Sequence, residues 1–171
     1  MIIPQKLIEE TWKSVSMTET QKEAKAISND FLEKQPVLAA FVVNYLKTNT
    51  DDQTADLGYY IAMVIWRIFS KSTKGRFEEL TEKYIKSIYE KNEEIFHSLA
   101  RKNELSIENF LSHQNVYTQP HVLQYMIEAI YMEEDDHQLN PQQQTYLFRC
   151  LKIVVDALSE SYYLQTAKPA F

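Results

Sequence analysis

The chain has 171 residues, 44% of them apolar, and a formal net charge of −6; that is enough apolar material for one buried core and the wrong charge for general nucleic-acid affinity, which cationic side chains drive by displacing counterions from phosphate. Only 2 Gly and 5 Pro occur, against a usual share of about 12% for the pair, so hairpin turns, bulges and phosphate-cradling loops are nearly excluded and helices are the economical reading. The lone Cys150 has no partner in the chain, the opening MIIPQKLIEETWK carries no basic stretch ahead of a long apolar run, and the apolar stretches 37–43 and 59–66 fall far short of the roughly 20 residues that cross a bilayer. The expectation is a cytoplasmic, acidic, membrane-free, all-α chain forming one compact bundle of about seven or eight helices over 1–171.

In chain order, a first helix is expected from Pro4 to about Val15, with Leu7, Ile8, Thr11 and Trp12 inward. A second begins near Thr18 or Thr20, each with Gln21 or Glu23 three residues later in the reciprocal capping arrangement. The third (Pro36 to about Lys47) and fourth (about Thr54 to Ser70) are apolar on nearly every side, which marks them as a central pair, with Gly58 and Ala62 as a close-contact ridge. A long fifth helix, about Arg76 to Lys102, carries Phe77, Leu80, Tyr84, Ile88, Ile95 and Leu99 in one stripe. A short helix at Ser106–Leu111 follows, then one capped by Thr118 with Pro120 in its first turn, ending before the acidic run 133–136. Asn140-Pro141 opens the last long helix, to about Leu164, with one apolar face; the tail 165–171 is frayed or docked. No repeat period of 33 to 47 residues and no linker divides the chain.

Four patterns bear on function. Glu94 with His97 and Glu134 with His137 repeat the Glu-x-x-His half-site of di-iron bundles, but the stripe of the fifth helix turns Glu94 and His97 towards water. The second pair lies in the run Glu133-Glu134-Asp135-Asp136-His137, which lacks the alternating ligands and turn glycine of a calcium loop and reads as a solvated connection. No metal, cofactor or catalytic constellation is assigned. His113 and His121 flank the irregular segment before the seventh helix with Tyr117 between them, and Tyr59, Trp66 and Tyr163 lie off their helices' inner stripes; these six are the candidate pocket or interface residues, with plain surface or interface positions the favoured alternative for the two histidines and central burial an equal one for Trp66. Cys150, at the margin of the last helix's apolar face, reads as a half-buried structural thiol.

Charge is unevenly spread. Residues 103–148 hold seven acids and no Lys or Arg, whereas 1–50 balance six against six; the absence of a basic recognition helix there also excludes a helix-turn-helix head. The functional expectation is a non-enzymatic interaction or adaptor domain, as a homo-oligomer or with a basic protein partner. The alternative is a small-molecule-binding or catalytic bundle, with a tyrosine-lined pocket between the central helices and the 113–131 segment.

Overall fold

The computed structural model describes residues 1–113, 115–132 and 139–167. Among them every regular element is a helix: α1 (Gln5–Ser16), α2 (Gln21–Lys34), α3 (Pro36–Asn49), α4 (Asp52–Ser72), α5 (Glu82–Arg101), α6 (Ile107–Leu111), α7 (Pro120–Tyr131) and α8 (Pro141–Thr166).

Short polar side chains fix where most of these helices begin. Thr20, Asp51, Thr81, Ser106 and Asn140 each accept a hydrogen bond from the backbone N–H three residues on, supplying one of the partners a helix start lacks. At Asn140 the box is reciprocal, because Gln143 Oε1 accepts the Asn140 N–H at 3.0 Å. Thr118 is not the cap of α7. Gln119 holds that position, and its side chain accepts the Ile3 N–H at 2.7 Å and donates to the Met1 carbonyl at 3.1 Å, tying the N-terminus to α7.

A central apolar pair is present, with α8 in the place expected for α3. All ten residues from Cys150 to Ser159 are buried around the full circumference of α8, and α4 is buried from Ile61 to Ser70 except at Arg67. α3 packs against both: it buries Leu38, Ala39, Val42 and Leu46, while Ala40 and Asn44 are exposed and Val37, Phe41 and Tyr45 only half-buried. Gly58 is a close-contact point of the three helices. A Cβ there would lie 2.5 Å from Leu46 Cδ1 on α3 and 2.7 Å from Leu147 Cδ2 on α8, so any larger residue requires those leucine side chains to shift.

α5 begins six residues later than its stripe suggests. After α4, Lys74 and Gly75 turn through left-handed backbone, φ 54° and 75°, with Gly75 N–H on the Ser70 carbonyl at 2.7 Å. Residues 76–81 then run extended with Phe77 and Leu80 buried. Two glutamines hold this segment: Gln35 donates to the Glu78 carbonyl and accepts the Leu80 N–H, and Gln165 accepts the Glu78 N–H. Apolar residues three apart serve a helix face or a clamped strand-like segment equally well, and the Thr81 cap decides in favour of the latter.

Candidate functional site

α8 carries two polar clusters of opposite character. In the middle of the helix Lys152 and Asp156, one turn apart and both buried, form an ion pair with Nζ 2.6 and 2.7 Å from the two carboxylate oxygens. Asn92 of α5 donates to Asp156 Oδ2 at 3.0 Å, and the Thr118 hydroxyl donates to Oδ1 at 3.4 Å. Nearby, Tyr84 donates to the Ala157 carbonyl and Ser159 Oγ accepts the Gln119 N–H. A buried carboxylate must be surrounded by donors to stay charged; here they come from α5, α8 and the loop before α7, so the cluster staples three parts of the chain together.

Two turns earlier, around Tyr146 and Arg149, the same face of α8 borders open space. α3 and α5 start side by side, held by the two Gln35 bonds, and run in the same direction, Phe41 meeting Tyr89 edge-on with ring centroids 6.0 Å apart. Between them lies a groove of about 910 Å³. Its α3 wall shows Val37, Ala40, Phe41, Asn44, Tyr45 and Thr48, a helical stripe along about three turns; its α5 wall shows Glu82, Ile85, Lys86 and Tyr89; Tyr146 and Arg149 of α8 lie beneath. The phenol oxygens of Tyr45, Tyr89 and Tyr146 make no hydrogen bond to another described residue. Burial pushes the Tyr45 phenol well above its usual range, partly opposed by the Arg149 charge, so it is a neutral donor at any physiological pH.

Arg149 is pinned. Its Nη2 donates to both carboxylate oxygens of Glu93 on α5, at 2.6 and 2.7 Å, and its guanidinium stacks 3.5 Å above the Phe96 ring centre. Its side chain and that of Glu93 are only 15% and 16% exposed, so the pair is much less screened than a surface ion pair. Past Tyr146 the groove continues into a polar cleft lined by Thr48, Asn49, Asp51, Asn140 and Gln143. There Asp51 accepts from Thr54 N–H and from Gln143 Nε2, and the Thr54 bonds hold its carboxyl below the ordinary carboxylate value.

None of the six residues expected to line a pocket lines this groove. Trp66 is sealed inside, donating Nε1–H to Asp30 at 3.2 Å between Phe31 and Phe77. Tyr59 packs on the other side of Phe31 and borders a separate hollow of about 310 Å³ between α2, α3 and α4. Tyr117 and Tyr163 do meet, with ring centroids 4.6 Å apart. His113 is exposed and bonded locally to Asn109 and Ser112, and His121 is half-buried in the first turn of α7.

Glu94 and His97 both face solvent; His97 lies 3.4 Å from Glu93 rather than against Glu94. Glu134, His137 and residues 168–171 of the tail lie outside the described residues. Among those described, no group of three or more His, Cys, Asp or Glu is placed to hold a metal ion. Cys150 is fully buried rather than half-buried, and burial pushes its thiol far up, away from nucleophilic character. No helix among the described residues is long and apolar enough to cross a membrane.

The groove residues Phe41, Tyr45, Tyr89, Tyr146 and Arg149 escape a sequence reading, although one signal points at them: α3 carries a second apolar stripe, Val37-Phe41-Tyr45, beside the one it buries. No protein-family model matches this chain, and neither a curated protein nor a solved structure matches it.

Proposed function

We propose that this chain is a non-enzymatic interaction bundle whose working surface is the α3–α5 groove, and that the groove takes one apolar-faced helix of a partner protein. The observation that carries the reading is the half-covered stripe of α3, about three turns long, facing Ile85 and Tyr89 across an open trough. Amphipathic helices dock in such troughs through anchors one turn apart. The composition suits that role, since Tyr and Arg are over-represented among residues that carry interface energy, and the apolar floor here is rimmed by Asn44, Thr48, Glu82 and Lys86.

The source of the helix favours another protein over a second copy. Each long helix of this chain already turns its main apolar stripe into the bundle and leaves only one or two large apolar residues exposed, such as Trp12, Leu32, Tyr163 and Leu164. The basic-partner expectation rests on the 103–148 segment, whose described acids Glu104, Glu108 and Glu128 do not line the groove, so it concerns a different face. A small-molecule reading draws on the same tyrosines. The groove lies at the upper end of the range of about 300–1,000 Å³ typical of small-ligand sites, and its open side and length favour a helix.

The test is selection from a displayed library of helical peptides against the whole chain. Enriched peptides are expected to carry apolar residues one turn apart and to lose at least tenfold in affinity against Phe41→Glu and, separately, Tyr89→Glu, with the fold of each variant checked by circular dichroism. No enrichment, or binding indifferent to both substitutions, would refute the proposal.

A further inference from the structure

Resting on that reading, we infer that the bound helix runs antiparallel to α3 and α5, with its N-terminus at the Asp51 cleft and a Glu-to-Lys pair one turn apart near its C-terminal end. Three features of the groove converge on this orientation. The first is polarity: α3 and α5 run the same way, so the Pro36–Glu82 end of the groove gathers their two N-termini, whereas at the Thr48–Asn49 end the C-terminal carbonyls of α3 lie beside the starts of α4 and α8, whose N-termini are already capped by Asp51 and Asn140. A third helix laid between them is favoured when its own partial charges oppose these.

The second feature is Asp51 in the adjoining cleft, an exposed carboxylate whose two oxygens are already oriented by Thr54 and Gln143. It suits the partial positive charge of an arriving helix N-terminus. The third is the α5 rim, where Glu82 and Lys86 stand one turn apart, about 6 Å along the helix. An antiparallel occupant passes Lys86 before Glu82, so its complementary charges fall in the order acid, then base four residues later. That order is also the better one within a single helix and places the cation towards its C-terminus. The Glu93–Arg149 pair in the groove floor is internally neutralised and favours neither direction.

The experiment uses the intact chain and two synthetic helical peptides of about 14 residues, the length of α3. They share one apolar stripe and differ only in carrying Glu then Lys, or Lys then Glu, at the two rim positions. The Glu-then-Lys peptide is expected to bind about fivefold more tightly at low salt, a preference that shrinks as salt is added, because rim pairs are worth little each and are screened. Glu82→Lys with Lys86→Glu in one chain should invert the order. A nitroxide at the peptide N-terminus, read on the unsubstituted protein, should broaden the amides of Asn49 to Asp51 and of Gln143, leaving Val37 and Lys86 sharp. Equal affinity for both peptides, or broadening at Val37 and Lys86, overturns the orientation and leaves the groove reading intact. Failure of both peptides to bind, together with failure of an uncharged peptide bearing the same stripe, overturns the two together.

Discussion

Two stretches of one face of α8, two turns apart, are built from similar side chains and differ in how far they are enclosed. Around Asp156 a Lys–Asp pair lies inside the protein with donors from three parts of the chain, although the Asn92 Oδ1 beside it is buried without a partner among the described residues. Around Tyr146 and Arg149, a few residues earlier on the same helix, another ion pair borders a trough in which three phenol hydroxyls have no described partner. Polar groups that satisfy one another hold a fold in one arrangement; amphipathic groups left facing solvent on a rigid frame are available for something else.

Substitutions can break that comparison, starting where the largest loss is expected. Asp156→Ala leaves the Lys152 ammonium buried and uncompensated, and should lower the unfolding free energy by about 3–5 kcal/mol in urea titration, whereas Lys152→Met with Asp156→Leu should recover most of it. A loss below about 1 kcal/mol for the single change would mean that water reaches the pair. Arg149→Met removes the guanidinium stacked on Phe96 and strands Glu93; because both groups are partly exposed the cost should be about 2 kcal/mol, and Glu93→Gln in the same chain should reduce it.

Gly58→Ala sharpens the account of the core. Better helix propensity works for the substitution and two fully buried leucines work against it. We expect a net loss of about 1 kcal/mol, and a gain would show that Leu46 and Leu147 can give way. The smallest effect belongs to Asp51. Its carboxyl is held low in the folded state, so the stability it contributes is present above the unfolded value near about 4 and is lost as pH falls through the folded one. Asp51→Asn should therefore flatten the fall of Tm on acidification below about pH 4, and an unchanged acid limb would contradict the assignment.

Much of the fold is legible in the residues because the signals are local. Thr20, Asn140 and the periodic stripes mark where helices lie, and Gly58 already stands out as a contact point. The start of α5 is lost because its clamp, Gln35, sits 45 positions away from Leu80. The centrality of α8 is hidden by Lys152 and Asp156, which look like a solvated i,i+4 pair until Asn92 and Thr118 are brought against them. The groove is illegible for a related reason. Apolar periodicity shows which faces of α3 are greasy, not which face the rest of the chain covers, and a helix apolar all round reads as central when one of its stripes is in fact left half-covered. Arg149 gives no sign of its role because Glu93 lies 56 residues away.

The most direct test of the contrast between the closed and open stretches of α8 is amide chemical-shift mapping of the intact chain during titration with a helical peptide selected as above. Saturable shifts along 37–49, 82–89 and Tyr146, with the amides flanking Asp156 unmoved, are the predicted result. Shifts centred on Tyr117 and Tyr163, or spread through the Asp156 cluster, would contradict it.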